Sequence, residues 1–139
     1  MPTTKEFTIE LQDQPGTIGK LCHALGDRGV NIQAFQASSG ERRTEVRLIV
    51  DNPAIARTVL GSESMAYTEV EVVQAKLPNR PAELGRAASR LGEAIININY
   101  AYSGADPGTS AAFVIFGVGI ADVARAVAIL DQAAAAART

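Results

Sequence analysis

Asp13-Gln14-Pro15-Gly16-Thr17-Ile18-Gly19 recurs, altered but legible, as Asn79-Arg80-Pro81-Ala82-Glu83-Leu84-Gly85. The same shift of 66 positions lays Pro15 on Pro81, Gly19 on Gly85, Leu25 on Leu91, Gly26 on Gly92, Asn31 on Asn97 and Ile32 on Ile98, without a gap. Conservative pairs fill the intervals: Ile18 with Leu84, Lys20 with Arg86, Thr44 with Ser110, Leu48 with Val114. The identities cluster at turn and cap positions, where backbone geometry restricts residue choice most. An ordered series of this kind marks an internal duplication.

Hydrophobic periods give the elements of one copy. Phe7, Ile9 and Leu11 alternate with Thr8, Glu10 and Gln12, the pattern of a half-buried strand. Pro15-Gly16 stops it. Ile18, Leu21, Cys22 and Leu25 then follow at i, i+3, i+4 and i+7, one face of a helix starting near Gly16. Gly29 suits the left-handed residue that ends such a helix. Residues 30–38 and 43–51 read as a hairpin turning at Ser38-Ser39-Gly40. Asn52-Pro53 reads as an N-cap followed by proline at the first helical position, opening a short helix with Ile55, Val59 and Leu60. Tyr67 to Val72 alternates again.

The second copy predicts a strand at 72–78, a helix at 82–93 with Leu84, Ala87, Ala88 and Leu91 inward, and a hairpin of 95–102 and 110–117 around Gly104–Gly108. A last helix begins near Asp122 with Val123, Val127 and Leu130 on one stripe. The alanine run that follows has high helix propensity and leaves the second copy without its final strand. The expected fold class is α+β: two tandem ferredoxin-like βαββαβ units, 1–71 and 72–139, each an antiparallel sheet with helices on one face. No Gly, Pro or Ser lies between Tyr67 and Leu77, so no flexible linker separates the copies.

Composition narrows the function classes. Of 139 residues 47% are hydrophobic, enough to build a core. With 13 Lys and Arg against 15 Asp and Glu, the charge of −2 offers no footprint for nucleic acid or an anionic membrane surface. The N-terminal residues lack the apolar segment of a signal peptide, and no apolar run reaches membrane-spanning length, so a cytoplasmic location is expected. One cysteine makes no internal disulfide. Cys22 and His23, adjacent on a helix, point about 100° apart and do not form a nucleophile–base pair. A single His and a single Cys do not supply a tetrahedral metal set. Neither an enzyme nor a bound cofactor is indicated.

Asp13-Gln14-Pro15-Gly16-Thr17-Ile18-Gly19 with Gly29-Val30-Asn31-Ile32 resembles the signature of the ACT domain family, and Asn79–Gly85 with Ile96-Asn97-Ile98 resembles it too. The resemblance covers about residues 5–130 and is to free-standing tandem ACT proteins. It implies the βαββαβ fold and a regulatory role. The effector implied is a small molecule, most often an amino acid, held between paired units against the first strand–helix loop. Homodimerisation and a partner enzyme are implied as well. Carried over by position, the polar residues that meet the effector are Asp13 and Asn31 in the first half, Asn79 and Asn97 in the second. Leu11 and Leu77 stand where some serine-binding members have a histidine.

The loop suits a ligand on physical grounds also. The first N–H groups of a helix lack intrahelical partners and carry the positive end of its dipole. A carboxylate can accept from them where the backbone is approachable, as beside Gly16 or the small Ala82. The candidate ligand-binding residues are therefore Asp13, Gln14, Pro15, Gly16, Thr17 and Ile18 with Asn31, and Asn79, Arg80, Pro81, Ala82, Glu83 and Leu84 with Asn97. Asp13, an anion, is expected to compete for those amides, with Gly16 N–H as recipient. Neutral Asn79 beside Arg80 makes 79–84 the expected carboxylate site, Arg80 forming a bidentate pair and Asp13 facing the ammonium.

Plainer roles compete. Pro-Gly after a strand is most often a turn, Asn31 and Asn97 can cap the chain into a strand, and Arg80 can be a solvated charge. Asn99, Tyr100 and Tyr102 suit either a pocket wall or a sheet face. The βαββαβ order is also that of RNA-binding domains, but Thr8, Glu10, Gln12, Glu45, Arg47 and Ile49 offer no aromatic pair to stack bases. The alternative with weight is a ligand-free dimerisation or protein-interaction module docking on a metabolic enzyme.

Overall fold

The computed structural model describes residues 3–105 and 112–138. Its contacts divide the chain into two compact units, Lys5–Val70 and a second from Glu71 onward that also takes in Thr3 and Thr4. Four helices and antiparallel strands make an α+β fold.

In the first unit β1 (Thr3–Gln12) pairs antiparallel with β3 (Arg43–Val50), placing Phe7 opposite Leu48 and Leu11 opposite Thr44. β3 also pairs with β2 (Ile32–Ser39), Ser39 opposite Thr44, with a register slip between Ile32 and Ala34. α1 (Thr17–Asp27) and α2 (Pro53–Ser62) share one core with these strands. Phe7, Ile9, Leu21 and Leu25 have no exposed surface, and burying each contributes about 1.5–3 kcal/mol. α1 ends as its sequence requires: Gly29 has φ +76°, and Val30 N–H donates to the Leu25 carbonyl at 3.0 Å. Asn52 caps α2, its side chain accepting from Ile55 N–H at 3.2 Å, with Pro53 at the first position.

The second unit repeats the pairing. β4 (Tyr67–Leu77) pairs with β6 (Ala112–Gly117), and β6 with β5 (Tyr100–Gly104), all antiparallel. α3 (Glu83–Glu93) and α4 (Val123–Arg138), the latter led in by a 3-10 turn at Ile120–Asp122, complete it. Val73, Ala87, Leu91, Phe116 and Ala126 centre its core. Arg125 donates to the Ala94 carbonyl at 2.6 Å, placing a cation at the C-terminal end of α3. After β6 the described residues hold only the 3-10 turn and α4, which runs to Arg138.

Several expectations change. The strands expected at 67–72 and 72–78 are one strand, β4, whose residues 67–70 fall in the first unit and the rest in the second. No turn residue interrupts the alternation there, so nothing breaks the strand. The described residues thus hold six strands rather than two separate ferredoxin-like sets. β5 begins at Tyr100, not at 95; Tyr100 is paired with Gly117, the last residue of β6. Leu84, expected inward, is 53% exposed; the inward stripe of α3 begins one turn later at Ala87. The turn residues 106–111 lie outside the described residues.

Candidate functional site

Each unit passes from its first strand to its first helix through a left-handed residue. Gly16 has φ +90° and ψ −11°; Ala82, 66 positions on, has φ +74° and ψ −9°. Pro15 and Pro81 precede them, and the following helices begin at Thr17 and Glu83. No side chain caps either helix. Thr17 N–H donates to the Gln14 carbonyl and Glu83 N–H to the Arg80 carbonyl, both at 3.4 Å. The first intrahelical bonds come from Lys20 N–H to the Gly16 carbonyl at 3.0 Å and Arg86 N–H to the Ala82 carbonyl at 2.9 Å. The amides of Ile18 and Gly19, and of Leu84 and Gly85, therefore precede the first turn's bonds, at the positive end of each dipole.

The two loops are built alike and finished differently. α1 has no acidic residue in its first turn, and Thr17 Oγ1 turns back to donate to the Gln12 and Gln14 carbonyls at 3.0 and 3.1 Å. A Cβ built on Gly16 meets nothing within 4 Å, so that backbone is open to approach. At the corresponding place α3 carries Glu83. Its Oε1 accepts from Arg80 Nη2 at 3.0 Å and from Arg86 Nη1 at 2.9 Å, and its side chain is only 16% exposed. The second loop thus holds a carboxylate of its own beside the helix start, with the Arg80 guanidinium on it.

Asp13 is likewise committed elsewhere. Its Oδ1 accepts from Ser39 Oγ at 3.0 Å and Thr44 Oγ1 at 3.1 Å, so it faces the β2–β3 hairpin and not the α1 amides. Position alone suggested a cap; the two hydroxyls across the hairpin, which only the fold brings near, take the carboxylate. Asn31 is held through its backbone: its N–H donates to Asp51 Oδ1 at 2.9 Å, and Asp51 N–H donates back to the Asn31 carbonyl at 3.1 Å. Asn97 Nδ2 donates to Asn99 Oδ1 at 2.9 Å. Asp13, Gln14, Pro15 and Gly16 are exposed in the first unit, as are Asn79, Arg80, Pro81 and Ala82 in the second.

The remaining sequence candidates take structural places. Tyr100 lies over Gly117 on the neighbouring strand, where any Cβ would strike its ring, and stacks on Tyr102 with centroids 6.4 Å apart. Burial pushes the Cys22 thiol up from its ordinary value, away from thiolate reactivity. Among the described residues no three His, Cys, Asp or Glu side chains gather as a metal site, and no helix is long and apolar enough to cross a membrane. Sequence reasoning missed Ser39, Thr44 and Asp51, because each serves a residue more than 18 positions away.

Among known structures, the chain is similar to a Bacteroides thetaiotaomicron protein at 23% identity and TM-score 0.82, over 94% of this chain and 88% of that one. It is similar to the ligand-free regulatory subunit of aspartate kinase from Thermus thermophilus at 14% identity and TM-score 0.64, over 94% and 91%. The regulatory subunit of aspartate kinase from Thermus flavus gives 16% identity and TM-score 0.57, over 96% and 97%. At these identities the likeness is one of fold. No curated protein sequence matches. The model of the ACT domain family matches residues 6–60, the stretch that holds most of β1, the loop with Gly16, α1, the β2–β3 hairpin and most of α2. That match lies within the first unit, Lys5–Val70.

Proposed function

We propose that the chain is a non-catalytic regulatory module whose first strand–helix loop binds the carboxylate of a small molecule, an amino acid being the class that fits. The observation that carries this reading is the uncapped start of α1: no side-chain cap, no acidic residue in its first turn, and open space beside Gly16. A carboxylate there would accept from the Ile18 and Gly19 amides, with Pro15 and Gly16 fixing their direction. Gln14 and Thr17 belong to the same loop, whereas Asn31, bonded to Asp51 at the Val50 end of β3, lies at the other end of the strand from Arg43 and this loop. Asp13 would offer its second oxygen to an ammonium. The family match within the first unit, and the fold shared with regulatory subunits of aspartate kinase, support a regulatory role.

The second loop fits the ligand-free alternative better. Glu83 supplies a carboxylate already paired with Arg80 and Arg86, so Asn79, Arg80, Pro81, Ala82, Leu84 and Asn97 become the weaker half of the candidate set. A homodimer and a regulated partner enzyme remain part of the reading. A bound effector would act by favouring one assembly state, by no more than its differential affinity for the two.

Thermal unfolding against each of the twenty amino acids tests this. A ligand at a hundred times its Kd stabilises by about 2.7 kcal/mol, a shift of several degrees for a small domain. A flat response to all twenty at millimolar concentration overturns the sensor reading and leaves an interaction module.

A further inference from the structure

One carboxylate fastens the β1–α1 loop to both arms of the β2–β3 hairpin. Asp13 Oδ1 accepts from Ser39, the last residue of β2, at 3.0 Å, and from Thr44, the second residue of β3, at 3.1 Å. Asp13 N–H donates to the Arg42 carbonyl at 3.4 Å. The bodies on either side are themselves tied. On the loop side, Gln14 N–H donates to the Gln12 carbonyl at 2.9 Å and Thr17 Oγ1 bridges Gln12 and Gln14. On the hairpin side, Gly40 N–H donates to the Arg43 carbonyl at 2.8 Å, Arg42 holds φ +65°, and Arg43 pairs with Glu10 at 2.6 Å. Thr44 is only 4% exposed, so water competes poorly for its bond to Asp13. In sequence the second copy keeps only part of this set: 66 positions on stand neutral Asn79 for Asp13 and Ala105, which has no hydroxyl, for Ser39, while Ser110 replaces Thr44.

We propose that Asp13 is a positioning residue that locks the β1–α1 loop and the β2–β3 hairpin tip into one body, so that the two open and close together. The lock itself needs no ligand; only its use in signalling, by which an occupied loop would be felt at residues 40–43, rests on the reading above. Its test is therefore run without any added small molecule and stands or falls separately from the thermal series.

Amide hydrogen exchange on the full chain reads the lock directly. In Asp13→Ala, exchange of the bonded amides on both sides, Gln14 and Thr17 in the loop and Gly40 in the hairpin tip, rises together, on the order of tenfold for loss of hydrogen bonds to a charged acceptor. The α2 amides keep their wild-type rates. Ser39→Ala, an exposed change that leaves the Thr44 bond in place, gives a smaller rise in the same two segments. Acceleration of only one segment, of neither, or of α2 equally would overturn the proposal. Should Asp13→Ala fail to fold, Ser39→Ala alone decides by the same pattern.

Discussion

Ala82 and Ile95 hold backbone angles that L side chains resist, φ +74° and +58°. In the first copy the same two places, 66 positions earlier, are Gly16 and Gly29 at φ +90° and +76°. A left-handed non-glycine residue costs about 1–2 kcal/mol, partly offset because glycine loses more freedom on folding. Ala82→Gly should therefore stabilise the chain by roughly 0.5–1 kcal/mol in urea unfolding. Ile95→Gly should do at least as well, since Ile95 is 89% exposed and gives up little burial. The glycines announced their own geometry in the sequence. Ala82 and Ile95 did not; only the register of the repeat points to their angles, because both side chains are ordinary in isolation. The roles of Asp13 and Arg80 were illegible for another reason. Each lies where a ligand contact was expected, but partners brought by the chain itself, Ser39 and Thr44 for one and Glu83 for the other, take the charge first.

Helices were more legible than strand limits. Asn52-Pro53 fixed the start of α2 because the cap and the proline act locally. Asn52→Ala should lower stability by about 1 kcal/mol, read as a fall in the urea midpoint at unchanged slope. A loss near zero would mean that the Ile55 amide finds another acceptor. The start of β5 could not be read from its own residues, since strand pairing such as Tyr100 with Gly117 is set by residues distant in sequence. A similar nonlocal tie joins α2 to β4. Arg57 Nε donates to both oxygens of Glu69 at 2.9 Å and holds that carboxyl below its ordinary value. A carboxylate with a lowered folded pKa contributes stability that is present above its unfolded pKa and lost as pH falls through the folded one. Glu69→Gln should accordingly lower stability at neutral pH and lessen its decline in acid. The contribution is small, because the pair is partly solvated. Parallel pH profiles for wild type and variant would show that the pair contributes nothing.

At the scale of the chain, duplication set the plan and divergence set the use. The repeat made the order of elements readable twice, and each unit pairs its strands in the same way. The strand–helix loops, the best-matched part of the repeat, still differ at one telling place: one copy leaves its helix start open and the other fills it with Glu83. If the open loop is the binding half, its amides must report the ligand. Backbone amide NMR during titration with the twenty amino acids tests this most directly. At saturation by at least one of them, the Ile18 and Gly19 resonances should move downfield as they donate to a carboxylate, while Leu84 and Gly85 stay near their free positions. Shifts confined to the second loop, or none at residues 14–19 with any amino acid, would contradict it.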